Sequence, residues 1–136
     1  MVSITTWKKD YELGNFEIDT QHKTFLKIIE KLKNTYENKL SDKLLLGYVI
    51  ELYKYAAYHF ISEENYMLVH NYPNYKKHKE LHNELLKDLA DSITTFNIKY
   101  IDIEKLINFS VNWFIKHTTI VDKQIIEFVD QSKNAK

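Results

Sequence analysis

Residues 41–69 read SDKLLLGYVIELYKYAAYHFISEENYMLV, and this stretch decides the fold. Ser41 is a candidate N-cap, and the apolar side chains after it recur at intervals of three and four residues, the period of one helix face. Asn71-Tyr72-Pro73 closes the stretch, because proline cannot continue a helix. The pattern predicts one long amphipathic helix whose inward stripe consists of Leu45, Val49, Leu52, Ala56, His59, Glu63 and Met67.

Three further stretches have the same period. The first begins at about Asp19, a candidate N-cap, and ends at Asn38, and Tyr36 is the last residue on its inward stripe. Helices are predicted over about residues 19–38, 41–69, 74–95 and 102–129. The connections are short, which makes consecutive helices antiparallel. The predicted fold is all-α: an up-down-up-down antiparallel four-helix bundle. A single domain accounts for residues 1–136, with an N-terminal arm over residues 1–18 that contains Trp7, Tyr11 and Phe16.

Composition excludes several classes of protein. The chain has 136 residues, of which 44% are apolar and 28% charged, as in an ordinary globular domain. Two glycines and one proline are too few for the turns of an all-β fold. Nineteen lysines balance nineteen acids and arginine is absent, so a nucleic-acid partner is not expected. Without cysteine there are no disulfides, thiolate zinc sites or iron–sulfur clusters. No leader or membrane span is recognisable, so a cytoplasmic location without membrane contact is expected.

The unusual feature is a set of ionisable residues on the apolar stripes. A lone histidine there is more often a hydrogen-bonded core residue than a ligand, and one histidine pair at spacing four occurs often by chance. Burying seven such groups without partners, at roughly 1–3 kcal/mol each, would offset most of a stability of roughly 7–20 kcal/mol. A metal site inside the bundle is the simplest way to satisfy them. The seven residues are His22, His59, Glu63, His78, His82, His117 and Asp122.

The number of donors indicates the kind of site. Five imidazoles and two carboxylates are too many for one tetrahedral zinc ion. If both carboxylates bridge two ions, one ion receives three histidines and two oxygens, and the other receives two histidines and two oxygens. An oxo or hydroxo bridge then leaves one open position. Imidazole and carboxylate suit iron, although spacing alone leaves manganese, copper and zinc open.

The ordered series of these residues resembles hemerythrin, and most closely the single-domain bacteriohemerythrins. The resemblance covers about residues 7–122 and implies two iron ions with an oxo or hydroxo bridge, a non-haem centre that binds O2 reversibly. It places His78, His82 and His117 on the saturated iron, His22 and His59 on the iron with the open position, and Glu63 and Asp122 between them. The series is Trp7, Tyr11, Gly14, Ile18-Asp19-Thr20-Gln21-His22, His59-Phe60-Ile61-Ser62-Glu63-Glu64, Met67, Tyr72-Pro73, His78, His82, Trp113, His117 and Asp122.

Aromatic side chains are expected to line the open position and exclude water from it. These residues are Phe25, Phe60, Trp113 and Phe114. Phe25 and Phe114 stand where the family more often has aliphatic side chains. Thr118 stands where an apolar residue is usual, so its hydroxyl is expected either to bond back to a helix carbonyl or to admit water.

The spacing from His117 to Asp122 is awkward for an α-helix, since five residues rotate by about 140°. Both side chains face the core if the helix is locally wider. The sequence therefore predicts an i→i+5 bulge between about Thr118 and Asp122.

Three functions fit this interpretation, and reversible O2 binding for storage, delivery or buffering is favoured over catalysis. Five neutral imidazoles stabilise high-valent iron less than carboxylate-rich sites do. The alternatives are a diiron enzyme acting on peroxide, nitric oxide or ferrous iron, and an O2 or redox sensor module. An electron donor or an O2-accepting protein is the kind of partner that these functions would need.

Overall fold

The computed structural model describes residues 6–93 and 98–134 and is helical almost throughout. The helices are α1 (Phe16–Glu37), α2 (Asp42–Val69), α3 (Tyr75–Ser92), α4 (Ile103–Lys116) and α5 (Lys123–Asn134). A π-helical turn, His117–Asp122, joins α4 to α5, and the backbone stays helical at both joints, so the three form one rod. Short 3₁₀ turns lie at Lys9–Tyr11 and Ile98–Tyr100. The predicted all-α four-helix bundle is confirmed.

Consecutive helices run antiparallel, as predicted. Gln21, near the start of α1, donates a hydrogen bond to Ser62, near the end of α2, at 2.9 Å. Glu63 contacts His78, near the start of α3, at 2.9 Å. His78 in turn lies 3.2 Å from His117, in the middle of the last rod. These contacts connect all four rods at one position along the axis of the bundle.

The start of α1 differs from the prediction. Asn15, and not Asp19, is the N-cap, since its side-chain oxygen accepts a hydrogen bond from the Ile18 amide at 3.0 Å. Asp19 lies inside the first turn, where its carboxylate accepts hydrogen bonds from the amides of Leu13 (2.9 Å) and Gly14 (3.1 Å). Gly14 has a φ of +85°, a conformation that glycine adopts without strain. The Asp19 carboxylate therefore connects the arm to α1 and does not cap the N-terminus of that helix.

One aromatic residue of the predicted arm and one residue of the predicted first stripe are exposed. Phe16 is the first residue of α1 and is 87% exposed, so the arm ends at Asn15 and does not reach residue 18. Trp7 and Tyr11 do pack together, and the Tyr11 ring meets Phe114 at 5.5 Å. Tyr36 is 40% exposed, because the buried position in that turn belongs to Thr35.

The other boundaries agree more closely with the prediction. The Ser41 side chain accepts a hydrogen bond from the Leu44 amide at 3.2 Å, which confirms Ser41 as an N-cap. Helix α3 ends at Ser92, and the predicted end at residue 95 lies outside the described residues. The last rod extends to Asn134, five residues beyond the predicted residue 129. No helix within 6–93 and 98–134 has an apolar stretch long enough to cross a bilayer.

The core has two apolar parts. The larger includes Leu32, Leu52 and Leu89 and fills most of the bundle. The smaller consists of Met67, Tyr72 and Ile125. Along α2, His59 and Glu63 separate the stretch in the larger part from Met67 in the smaller one. The polar cluster described next therefore lies between two apolar clusters, shielded from water at both ends.

Candidate metal centre

The bundle brings all seven predicted ligand residues together in its interior, and every one of them is buried. Their donor atoms form two groups, in each of which the atoms lie within 4.8 Å of one another. One group contains Glu63, His78, His82, His117 and Asp122, and the other contains His22, His59, Glu63 and Asp122. The two carboxylates belong to both groups.

The first group is built around three imidazole nitrogens that face one another. The Nε2 atom of His117 lies 3.2 Å from those of His78 and of His82. In the second group, the Nε2 atoms of His22 and His59 are 3.1 Å apart. Two nitrogens bound to one ion at about 2.1 Å would be separated by about 3.0 to 3.4 Å, for bond angles between octahedral and tetrahedral. Both groups have the spacing of nitrogens that share an ion.

Each carboxylate presents one oxygen to each group. Glu63 Oε1 lies 2.9 Å from His78 and 3.1 Å from His82, while Oε2 lies 3.3 Å from His59. Asp122 Oδ1 lies 2.9 Å from His117, while Oδ2 lies 3.2 Å from His22. This division of oxygens is the arrangement of carboxylates that bridge two ions. The first position then has five protein donors and the second has four.

Unsatisfied polar atoms provide an independent test of whether the residues fit a metal. Glu63 Oε2 and both Asp122 oxygens are buried and have no hydrogen-bond partner among the described residues. Histidine nitrogens lie only 2.9 to 3.7 Å away but are not aligned to donate. Buried carboxylate oxygens without partners are costly, and a cation between the two donor types removes that cost. The residues present therefore fit a pair of metal ions.

In the metal-free cluster, contacts between the acids and the histidines shift the pKa values of both. Burial alone would lower the pKa of His22 and His78, but contacts with Asp122 and Glu63 outweigh it and raise both pKa values to about 9. For His59 burial prevails and its pKa is lowered. Burial would raise the pKa of Glu63, but the surrounding histidines hold it well below its usual range. The acids are thus anionic ligands at neutral pH.

The pKa of Asp122 is also depressed. Burial and the charge of Glu63 act to raise it, and contacts with His117 and His22 more than reverse their effect. Deprotonated carboxylates and imidazoles are the forms that bind metal ions. The acids are already in that form, whereas His22 and His78 have to lose a proton when a metal binds.

The π-helical turn places His117 and Asp122 on the same side. His117 and Asp122 are its first and last residues, and both side chains are buried. The wider turn compensates for the extra residue in the spacing of five. The predicted i→i+5 bulge is therefore confirmed, and it begins one residue earlier than expected, at His117.

Two polar residues that contact the histidines were not recognised as functional from the sequence. Gln21 Oε1 accepts a hydrogen bond from His59 Nδ1 at 2.6 Å. Glu64 Oε2 accepts one from His82 Nδ1 at 2.9 Å. Both are direct sequence neighbours of predicted ligands and stand in the series that resembles hemerythrin, but an acid next to a ligand is more often solvated. Such bonds leave Nε2 unprotonated and oriented toward a metal.

Four of the five predicted pocket residues are aromatic, and their rings lie beside the two groups of histidines. The rings of His22 and Phe114 meet edge to face at 5.7 Å, and Phe25 stacks on Phe114 at 5.7 Å. Phe60 and Trp113 stack on rings of the three-histidine group, and Phe60 also meets the His59 ring of the other group at 5.8 Å. Phe25 and Phe114 are thus beside the two-histidine group, where the open position is predicted. That these residues line an O2 pocket stays a prediction.

Thr118 is 1% exposed and lies within the π-helical turn. No hydrogen bond of its hydroxyl is seen within the described part of the chain. In that part, Thr118 therefore does not bond back to a helix carbonyl, which was one of the two predicted alternatives. Its neighbour Thr119 makes such a bond, to the Ile115 carbonyl at 2.7 Å. The alternative of water admitted at Thr118 remains a prediction.

Comparison with known proteins identifies the family of this chain. The family model of the hemerythrin HHE cation binding domain matches residues 13–129. A bacteriohemerythrin of Clostridium acetobutylicum is 32% identical, over 89% of this chain and 98% of the relative. A bacteriohemerythrin of Campylobacter jejuni is 29% identical, over 91% and 94%. A hemerythrin of Sipunculus nudus is 28% identical, over 85% and 86%. The chain belongs to the hemerythrin family.

Proposed function

We propose that this chain binds O2 reversibly at a centre of two iron ions with an oxo or hydroxo bridge, and that the seven converging residues are its ligands. The observation that carries the proposal is the pair of carboxylates shared between a three-histidine and a two-histidine group. Relatives named hemerythrin and bacteriohemerythrin over most of their length support it. We propose further that residues 1–136 form one such domain, since the family match reaches from the arm into the last helix.

The unequal donor sets determine where O2 would bind. His78, His82 and His117 would hold one iron together with one oxygen from each carboxylate. His22 and His59 would hold the other, which has one protein donor fewer and hence the open position. When bound, the two ferrous ions supply the electrons that O2 takes up on binding and returns on release.

The side chains around the two-histidine group exclude water. Phe25 and Phe114 are both buried, and their rings are nearly parallel, 16° apart. Phe114 lies between Phe25 and the Tyr11 ring of the arm, so a continuous aromatic layer covers His22. An apolar layer of this kind keeps the site dry and hinders protons from reaching bound O2. It therefore favours release of O2 over its reduction.

We propose a carrier, not an enzyme, because the structure combines five neutral imidazole ligands with a buried site. Neutral donors stabilise high-valent iron less than a set of carboxylates does. Storage, delivery and local buffering of O2 all use the same chemistry. A separate electron donor would return oxidised iron to the ferrous state.

The test is a cycle of oxygenation on the iron-loaded protein. The protein is reduced without air, exposed to O2 and then freed of O2 under argon while its visible absorption is recorded. We expect an absorption band that appears with O2 and disappears when O2 is removed, over several cycles. Decay to the oxidised form within one exposure, with consumption of added peroxide or nitric oxide, would instead indicate an enzyme.

A further inference from the structure

The two hydrogen bonds that orient the histidines end on acceptors of different charge. His59, in the two-histidine group, donates its Nδ1 proton to the neutral amide of Gln21 at 2.6 Å. His82, in the three-histidine group, donates its Nδ1 proton to the carboxylate of Glu64 at 2.9 Å. Neither acceptor belongs to the donor set of either group.

We propose that Gln21 and Glu64 are positioning residues that fix the tautomers of His59 and His82 and make the two metal positions electronically unequal. A carboxylate acceptor draws the Nδ1 proton away from the ring and makes Nε2 a stronger donor. An amide acceptor does so less. The metal held by His82 is therefore the richer in electrons, and the metal held by His59 is the poorer.

Gln21 is held in one orientation by its own contacts. Its side-chain nitrogen donates to Ser62 Oγ at 2.9 Å, and its backbone carbonyl accepts a hydrogen bond from the Tyr55 hydroxyl at 2.9 Å. With the amide nitrogen on Ser62, the amide oxygen faces His59 Nδ1 and accepts its proton, which is the tautomer that leaves Nε2 free to bind a metal. His59 Nε2 is left with its lone pair directed into the site. Ser62 thus anchors the Gln21 amide beside His59.

Glu64 reaches its histidine from the edge of the bundle. Its side chain is 12% exposed, whereas that of His82 is completely buried. The carboxylate thus lies partly at the surface and still accepts the hydrogen bond of the buried ring. One face of the His82 ring is covered by Phe60, at 4.0 Å between centroids. Ring plane and tautomer are therefore both set by neighbours that do not bind the metal.

The inequality has a consequence for reversible binding. This consequence rests on the proposed function, which places the open position at the iron held by His22 and His59. A less electron-rich metal at that position favours release of O2 over irreversible electron transfer to it. Gln21, by being neutral, would keep this end of the centre suited to a carrier.

Two reciprocal variants test the inference, because Gln21→Glu and Glu64→Gln each exchange amide and carboxylate with little change of shape. Reduction potentials of the iron-loaded proteins are measured by redox titration. We expect Gln21→Glu to lower the potential and Glu64→Gln to raise it, as an anionic acceptor favours the oxidised metal. Thr20→Glu and Glu80→Gln are the controls, since both positions are exposed and make the same changes of charge in solvent.

A second measurement does not depend on iron or O2. Binding of Zn²⁺ alone to the metal-free protein is measured in competition with a chromogenic chelator. Gln21→Ala and Glu64→Ala should each lower the affinity by about 10- to 100-fold, the usual effect of losing such a hydrogen bond. Ser62→Ala keeps Gln21 but frees its amide, and it should weaken Zn²⁺ binding in the same direction.

The outcomes separate the two proposals. If the reciprocal variants shift the potential no further than Thr20→Glu and Glu80→Gln do, the inference is wrong even when O2 binds reversibly. It is equally wrong if the alanine variants bind Zn²⁺ like the unmodified chain. If these shifts occur but the unmodified chain does not bind O2 reversibly, the positioning role is supported and the carrier function is wrong.

Discussion

The indole ring of Trp113 lies flat on the imidazole ring of His117, with 4.2 Å between ring centroids and 15° between planes. Phe60 has the same relationship to His82, at 4.0 Å and 7°. Two of the three rings in the three-histidine group are therefore held in plane by a stacked aromatic side chain. This fixes the directions of their Nε2 lone pairs before any metal binds.

Trp113→Ala should loosen His117 and expose more of it to water, since the half-buried Trp113 ring covers one face of the imidazole beside a surface pocket that both residues line. We expect a loss of about 3 kcal/mol or less in the free energy of unfolding and a several-fold faster decay of the oxygenated form. Urea denaturation and the loss of the visible band measure the two effects. Trp113→Phe keeps a stacked ring and is the control; equal decay in both variants would contradict a role for stacking.

Thr118→Val should stabilise the protein, because Thr118 is 1% exposed and its hydroxyl makes no hydrogen bond within the described structure, and valine replaces that hydroxyl by a methyl group of the same size. We expect a gain of about 1 kcal/mol in the free energy of unfolding and slower decay of the oxygenated form. Thr119→Val is the matched control, since it removes a hydroxyl that is bonded to Ile115 and should cost stability. If Thr118→Val, or the larger Thr118→Ile, leaves the decay rate unchanged, Thr118 does not admit water.

Asp122→Asn should reduce the metal content from two ions toward one, since an amide offers a single oxygen acceptor where the carboxylate serves both groups. The helices should persist, because the substitution conserves shape. Metal analysis by mass spectrometry and far-UV circular dichroism provide the measurements. Asp130→Asn changes an exposed acid on α5 and should leave two ions bound. Two ions in the Asp122 variant would show that this residue does not bridge.

The metal-free protein should lose stability on both sides of mildly acidic pH. Burial lowers the pKa of His22 and His78, but contacts with Asp122 and Glu63 raise both to about 9. Their contribution is complete below the unfolded value of 6.5 and is lost as the pH rises through 9. Each histidine accounts for on the order of 3 kcal/mol, and the two are not additive because they share the carboxylates.

The carboxylates contribute stability that is lost at low pH, whereas that of the histidines is lost at high pH. The depressed pKa of Glu63 gives a contribution that is present above its ordinary value of 4.5 and is lost as the pH falls. Urea denaturation at a series of pH values should therefore show a maximum between the two ranges. In the loaded protein the metal replaces the histidine protons, so the decline from pH 6.5 to 9 should be absent. A decline of the same size with and without metal would contradict this account.

The fold was predictable because the apolar period covers nearly every turn of the four rods and turn-forming residues are scarce. The predictions that were wrong concern the two ends of α1, where the position of a side chain depends on local hydrogen bonds and packing that the apolar period does not determine. Asp19 looks like an N-cap, but Asn15 lies closer to the first free amides and Asp19 turns back to the arm. Near the end of α1, Thr35 is buried at the turn where Tyr36 was predicted to face inward, and Tyr36 is 40% exposed.

The candidate site was predictable as a set of residues, because five histidines on apolar stripes are rare and costly. The π-helical turn followed from one incompatible spacing, between His117 and Asp122. The contacts of Gln21 and Glu64 with the histidines could not be predicted from the sequence. They depend on which side chain of a neighbouring helix comes within hydrogen-bond distance, and no local pattern specifies that distance.

The most direct measurement is X-ray diffraction from crystals of the iron-loaded protein, with data collected on both sides of the iron absorption edge. We predict two anomalous peaks about 3.5 Å apart, one beside the Nε2 atoms of His78, His82 and His117 and the other beside those of His22 and His59, with Glu63 and Asp122 spanning them. A single peak, or peaks only on the surface of the bundle, would contradict the diiron centre and the oxygen-carrier function built on it.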